Sequence, residues 1–305
     1  MSNGATVVAG ATGRLGGLIA RALHARGARV RSLARVGTAA GAREALRRWG
    51  AVSDVDYRDA AQLSEACRGA ACVVSALSGT RDVIVDTQLR LLSAAVAAGV
   101  PRFIPSDFAI DFYTMPAGTN RNLDWRREFA EHLDAAPIAA TSVLNGMFAE
   151  LLRGQAPFIL FRFHRVVYWE NADQAMDFTT MQDVADFTAA VAMDATTPRF
   201  LRVAGTVASS RQLAAIAGDA TGHSFTLLRA GGLGRLEKLI KFVRLVSPAP
   251  NDVYPPWQGM QYMRDMFDGR AKLEPLDNDR YPGSRWTPVR DVLEGANIGY
   301  SRIGH

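Results

Sequence analysis

TVVAGATGRLGG, Thr6–Gly17, sets a short apolar run against three glycines, Gly10, Gly13 and Gly16. Leu15, Leu18, Ile19, Ala22 and Leu23 then recur at helical spacing, and Gly27 stands where a helix would stop. A glycine triplet alone says little, because glycine-rich turns are common. Between a strand and a helix it says more: the turn brings backbone N–H groups to a helix N-terminus, where a diphosphate binds. Gly10, Thr12, Gly13, Arg14, Leu15 and Gly16 are therefore the expected diphosphate-binding residues.

Outward from this stretch, strand-like and helix-like segments alternate. ARVRSLAR (28–35), AVSDVDY (51–57), ACVVSAL (71–77), PRFIPSD (101–107) and AATSVLNGMF (139–148) read as strands. REALRRWG, AAQLSEACRGA, RDVIVDTQLRLLSAAVAAG and WRREFAEHLDAA read as the helices between them. Such alternation with short connections predicts an α/β fold, a doubly wound parallel sheet of the Rossmann kind, with ligands at the C-terminal strand ends. After Phe158 the rhythm changes: FILFRFHRVVYW reads as one long strand, and SPAPNDVYPPWQG is a Pro/Gly-rich loop. Residues 1–156 are expected to form the dinucleotide-binding domain and 157–305 a smaller C-terminal α/β region. About 177–205 should return to the first sheet.

At 305 residues and 48% hydrophobic content the chain can bury a sizeable core. No window approaches the roughly 18 uncharged apolar residues of a membrane helix. Cys67 and Cys72 are too few for a disulfide framework and not spaced as CxxC, so they read as reduced core thiols. With no targeting signal evident, a cytoplasmic protein is expected. The net charge of +5 invites nucleic acid, but the arginines are scattered through amphipathic segments, and neither a nucleic-acid nor a membrane partner is expected. Only three lysines occur, Lys238, Lys241 and Lys272. No metal-ligand spacing and no GxSxG elbow occurs.

GATGRLG, GVPRFIPSDF (99–108), TSVLNGMFAELL (141–152) and DFTTMQDVADF (177–187) together resemble the NmrA-like and isoflavone-reductase-like proteins, atypical short-chain dehydrogenases, over roughly residues 5–230. The first motif is generic to Rossmann folds; RFIPSDF is much more specific. The resemblance implies an NADP-binding domain, a smaller substrate domain, and one of two functions. One is NADPH-dependent reduction of a small aromatic or carbonyl-type substrate. The other is a non-catalytic NADP(H) sensor that binds a partner protein.

The second strand points to NADP(H) on its own residues. NAD binders usually end it with an acid that holds the ribose hydroxyls, whereas here Arg35 stands there, with Arg31 below and Arg43 beyond. A guanidinium suits a 2′-phosphate. The alternative is a charge capping an exposed strand end. Asp56 would meet the adenine edge or simply form a turn. Ser75, Ala76 and Leu77 should run beside the cofactor, as should Ser106, Asn145 and Gly146. Gln88 reads better as a solvated helix residue than as a cofactor contact. Met147, Phe148, Trp257 and Tyr262 would border the substrate, although the Met/aromatic stripe from Trp257 to Phe267 reads first as core.

No tyrosine has lysine four residues on, which excludes the YxxxK proton relay. The isoflavone-reductase-like enzymes use a lysine on the helix after the fifth strand, and matching through Phe129 and Leu133 puts Arg126 at that position, within a residue or two. Arginine keeps its proton, so Arg126 would act as a fixed charge or be a solvated helix residue; Arg127 is the neighbour to weigh. Asp107 and Tyr113 are the other candidate catalytic groups. His132 and His164 read as surface or packing residues.

Overall fold

The computed structural model describes residues 4–294. Its first half is β1 (Ala5–Ala9), α1 (Arg14–Ala25), β2 (Val30–Arg35), α2 (Ala40–Arg47), β3 (Ala51–Val55), α3 (Ala60–Cys67), β4 (Ala70–Ser75), α4 (Gln88–Ala97), β5 (Arg102–Ile104), α5 (Arg121–Asp134) and β6 (Ala139–Ala140). A π-helical turn, Asp82–Thr87, leads into α4. The second half is β7 (Ser142–Leu144), β8 (Met147–Phe148), β9 (Ile159–Leu160), β10 (Arg165–Trp169), β11 (Met176–Thr179), α6 (Met181–Met193), β12 (Phe200–Arg202), β13 (Thr206–Ala208), α7 (Ser210–Thr221), β14 (Thr226–Gly231), α8 (Leu233–Val246), α9 (Pro256–Asp268) and α10 (Val289–Glu294).

The main sheet is parallel, in the order β3-β2-β1-β4-β5-β6. The order reverses direction between β1 and β4, and a crevice opens there above the C-terminal strand ends. Hydrophobic continuity explains the inner strands: Val7, Val8 and Ala9 of β1 and Val73 and Val74 of β4 are fully buried, covered on both faces by helices. α1 buries Ile19, Ala20 and Leu23 against Val184, Ala185 and Ala189 of α6, so a helix from the second half completes the first layer.

The predicted sixth strand is three pieces. β6 closes the main sheet, β7 pairs with β12, and β8 pairs with β11, whose other neighbour is β13. Gly146 makes the break: its φ is +68°, and a Cβ there would lie 2.3 Å from the Asp177 carbonyl. The long strand predicted over 158–169 is likewise divided. His164, at φ 47°, turns the chain, and β9 folds back antiparallel on β10. A second core lies beyond the sheet, and Ile110, Phe112, Met115 and Leu123 reach into it from the first half to meet Phe158, Phe178, Trp257 and Phe267.

Cys67 and Cys72 are buried free thiols, and burial pushes them up to about 11 and about 12, which leaves them protonated packing groups near neutral pH.

Candidate active site

The glycine turn owes its shape to close backbone contacts. Gly10 sits at φ +75° and a Cβ there would meet the Ala76 carbonyl at 2.5 Å; a Cβ on Gly16 would meet the Gly10 carbonyl at 2.3 Å. Gly13 is different: its Cβ would have only the Gly10 carbonyl near it, at 3.2 Å. Gly13 is also the N-cap of α1, makes no side-chain cap, and is followed by no acid in the first turn. The first N–H groups of α1 therefore have no side-chain acceptor, beside the exposed Thr12 and Arg14. Leu15 is half-buried and Gly16 buried behind them.

A continuous line of contacts runs from this turn to Arg126. Gly10 abuts Ala76 and Leu77. The Leu77 carbonyl accepts the Ser106 hydroxyl at 2.6 Å, and the Ser106 carbonyl accepts Arg126 Nε at 3.1 Å. Gln88 holds the middle: its Oε1 accepts the Ser106 N–H at 2.9 Å while its Nε2 donates to the Ile84 carbonyl. Gln88 is thus fully buried rather than solvated, because the strand-end loop needs an acceptor that the sheet does not supply.

Asn120 caps α5, which therefore starts four residues before the predicted Trp125. Asn122, Arg126, Phe129 and Leu133 share one buried face. Arg126 donates to Ser106 and, through Nη1, to the Asn122 carbonyl at 3.1 Å, with Tyr262 and Tyr254 against its charge. Burial opposes that charge, but the two phenols and Asp107 outweigh it and raise the pKa further. Burial pushes the Tyr262 hydroxyl up, and Arg126 opposes that rise. Arg127, by contrast, turns away to Asp124 and to the Phe112 and Met115 carbonyls.

Asp107 and Tyr113 gather around Arg199 instead. Asp107, fully buried, accepts the Ser142 hydroxyl at 2.6 Å; Arg199 donates to Ser142 and, at 3.2 Å, to the Tyr113 hydroxyl. Burial pushes the Asp107 carboxyl up, with Ser142, Arg126 and Arg199 opposing. Tyr113 thus sits with Arg199 and Ser142, while Asp107 lies between the two arginines, bonded to Ser142 and close enough to Arg126 for each charge to act on the other.

The remaining candidate residues are placed as follows. Ser75, at the end of β4, and Asn145, just after β7, are fully buried. Gly146 serves the close pass to β11. Asp56 is exposed and accepts the Arg58 N–H at 2.9 Å, the turn role. Trp257 is buried in the second core, with Arg121 and Arg244 over its ring at 4.5 and 5.0 Å, as its place in the Met/aromatic stripe suggests. Met147 and Phe148 are half-buried. Arg31 is committed to the Ala66 and Arg68 carbonyls and Arg43 to Asp54, while Arg35 ends β2 exposed. Tyr57, missed in the sequence reading, lies buried between Gly10 and Arg35. Tyr254, also missed, is 60% exposed in the loop before α9. A cleft of about 550 Å³ flanks the glycine turn on its α2 side, lined by Thr12, Gly13, Arg14, Trp49, Glu150 and Gln182.

α5 and α9 are locked together beneath Arg126 and Tyr262 by one polar cluster. Asn120 Nδ2 donates to Asp265 at 2.8 Å, Arg264 donates to Asp265, and Gln258 donates to Asn120. Burial pushes Asp265 up to about 6, against Arg264 and Asn120. A carboxyl raised in the folded state contributes stability below its unfolded pKa near 4 and loses it as pH rises through 6, by roughly 3 kcal/mol at 1.36 kcal/mol per unit. The stability of the parent relative to Asp265→Asn should therefore fall between about pH 4 and 7 in denaturant titrations. Parallel curves would show that Arg264 keeps Asp265 charged throughout.

A family model described as the NmrA-like family matches residues 2–243. No curated protein matches the chain. Among solved structures, AtPrR2 with NADP+ and (+)pinoresinol superposes with a TM-score of 0.80 at 21% identity, over 95% of this chain and 98% of that one. Leucoanthocyanidin reductase from Vitis vinifera with NADPH gives 0.78 at 18%, over 95% and 98%. The NADPH-dependent quinone oxidoreductase QOR2 from Escherichia coli, complexed with NADPH, gives 0.72 at 19%, over 94% and 98%. At such identities the likeness is one of fold.

Proposed function

The chain belongs to the NmrA-like family, and from that premise we propose that it is an NADPH-dependent reductase of a small aromatic or carbonyl-type substrate. The observation that carries the proposal is the unbroken line from an uncapped glycine turn to a buried guanidinium faced by two phenols. The residues fit the cofactor. The free N–H groups at the start of α1, with Arg14, suit the diphosphate, and the exposed Arg35 suits a 2′-phosphate.

When bound, NADPH supplies the hydride; the polar tasks at the substrate fall to the protein. Arg126 stays charged across the working range and stabilises negative charge developing on the substrate oxygen. Tyr262, its hydroxyl held protonated by burial, donates a hydrogen bond that orients that oxygen, and the Tyr254 hydroxyl stands on the same side of Arg126. Gln88 and Ser106 hold Arg126 in place and exclude water from behind it.

The test is NADPH oxidation against a panel of aromatic carbonyls, enones and benzylic ethers. Turnover with none of them, together with tight NADPH binding, would favour the sensor reading, which the arginine at position 126 supports. On specificity, NADPH should bind about ten- to hundredfold more tightly than NADH, the worth of one charge-assisted phosphate contact. Arg35→Ala should remove most of that margin and barely change NADH affinity. Equal affinities by calorimetry in the parent would return Arg35 to a strand-end charge.

A further inference from the structure

α8 is apolar on both of its faces. Leu236 and Ile240 are buried in the second core, which is the face that holds the helix to α9. The opposite arc presents Leu239, Phe242, Leu245 and Val246, exposed by 36, 61, 80 and 61%. A helix that is apolar all round is ordinarily buried all round. Arg235, Lys238 and Lys241 lie exposed among these side chains on the same arc. Two of the three lysines in the chain are therefore here, while the third, Lys272, is taken by Asp177 at 2.6 Å. Glu237, the one acid of α8, is held by Arg264 at 2.8 Å, and Lys241, 76% exposed at its side chain, reaches its other oxygen only at 3.9 Å. The outer arc thus combines large apolar groups and cations.

Against the sequence-based expectation of no membrane partner, we propose that this face of α8 docks the protein on the surface of an anionic lipid bilayer, with the helix lying in the interface plane. Phe242, Leu245 and Val246 enter the boundary between headgroups and acyl chains, and the long stems of Arg235, Lys238 and Lys241 carry their charges up to the lipid phosphates. Charge decides against a second copy as the occupant. A two-fold contact sets the same patch against itself, so the three cations of one α8 would face those of the other. An anionic bilayer satisfies the apolar and the cationic groups together. No helix among the described residues is long and apolar enough to cross a membrane, so the attachment is peripheral. The loop after α8 carries Tyr254 and leads into α9 with Tyr262, which puts the rim of the candidate active site beside the lipid surface.

The test is co-sedimentation of the full chain with phosphatidylcholine vesicles, with and without a minor share of phosphatidylglycerol. The chain should bind the anionic vesicles and release as salt is raised. The pair Lys238→Gln and Lys241→Gln should weaken binding about thirtyfold, from the usual worth of two cations at an anionic surface. The pair Phe242→Ser and Leu245→Ser should abolish it, while thermal unfolding stays unchanged because both side chains are exposed. Equal binding to both vesicle types, binding to neither, or binding that survives both double variants would overturn the proposal. So would a serine pair that turns an oligomer into a monomer in a protein indifferent to lipid, since a second copy would then be the occupant. None of these readouts depends on NADPH turnover, so failure here leaves the reductase reading standing.

Discussion

A Gly13→Val protein should fold normally and fail to bind NADPH. The two halves of this expectation come from different contacts. Gly13 has φ −81°, which valine adopts without strain, and a Cβ at this position would meet a single atom, the Gly10 carbonyl, at 3.2 Å. A shift of a few tenths of an ångström accommodates it. The rest of the side chain then stands over the first turn of α1, where the free N–H groups would hold a diphosphate. Losing two charge-assisted hydrogen bonds costs on the order of 10²–10⁴-fold in affinity. Calorimetry would show heat absent for NADPH and NADH alike, with an unfolding temperature close to that of the parent.

Gly16→Val separates this effect from simple damage to the loop. Its Cβ would lie 2.3 Å from the Gly10 carbonyl and 2.7 Å from the Gly10 carbonyl carbon, both backbone atoms with nowhere to go. That variant should unfold at a clearly lower temperature as well as lose the cofactor. If Gly13→Val bound NADPH as the parent does, the diphosphate would have to sit elsewhere, and the glycine turn would be a packing device alone.

The difference between these two glycines marks what the sequence makes legible. The turn itself is readable because strand, glycines and amphipathic helix are neighbours along the chain, and local order is what periodicity reports. β4 is readable because a strand covered on both faces needs unbroken apolar residues. Contacts made across the chain are harder. Nothing near Gln88 says that its amide bridges Ser106 and Ile84, so its neighbours alone imply a solvated residue. His164 breaks an apolar run that, by composition, should have continued, because the run folds back upon itself. Asp107 stands in the most specific motif of the chain, yet it turns inward to Ser142, a partner 35 residues away. Trp257 and Tyr262 share one helix with similar hydrophobic spacing; two arginines from other helices close over the first, and the second meets Arg126. The early start of α5 was within reach, since Asn120 with Asp124 in the first turn is a start signal written in adjacent residues.

Arg126→Ala should lower kcat about 10²–10³-fold, the usual effect of removing one preorganised donor to a developing oxyanion, and leave NADPH affinity nearly intact. The affinity is spared because the diphosphate and 2′-phosphate groups would sit at Gly10–Gly16 and Arg35, joined to Arg126 only through Leu77 and Ser106. Near-normal affinity also shows that the crevice has survived the loss of the two carbonyl contacts that Arg126 makes. In the parent, Arg126 gives the rate no titration between about pH 6 and 9, because Tyr262, Tyr254 and Asp107 hold its pKa above an already high value. Arg126→Lys places an ammonium in the same buried position, and burial lowers the pKa of a lysine toward that window. Its rate should therefore fall as pH rises and the lysine loses its proton, a limb the parent lacks. Two profiles of the same shape would mean that the charge at 126 does not face the reacting oxygen. An alanine variant as fast as the parent would shift the weight to Tyr262, whose hydroxyl would then have to stabilise that oxygen without a cation behind it.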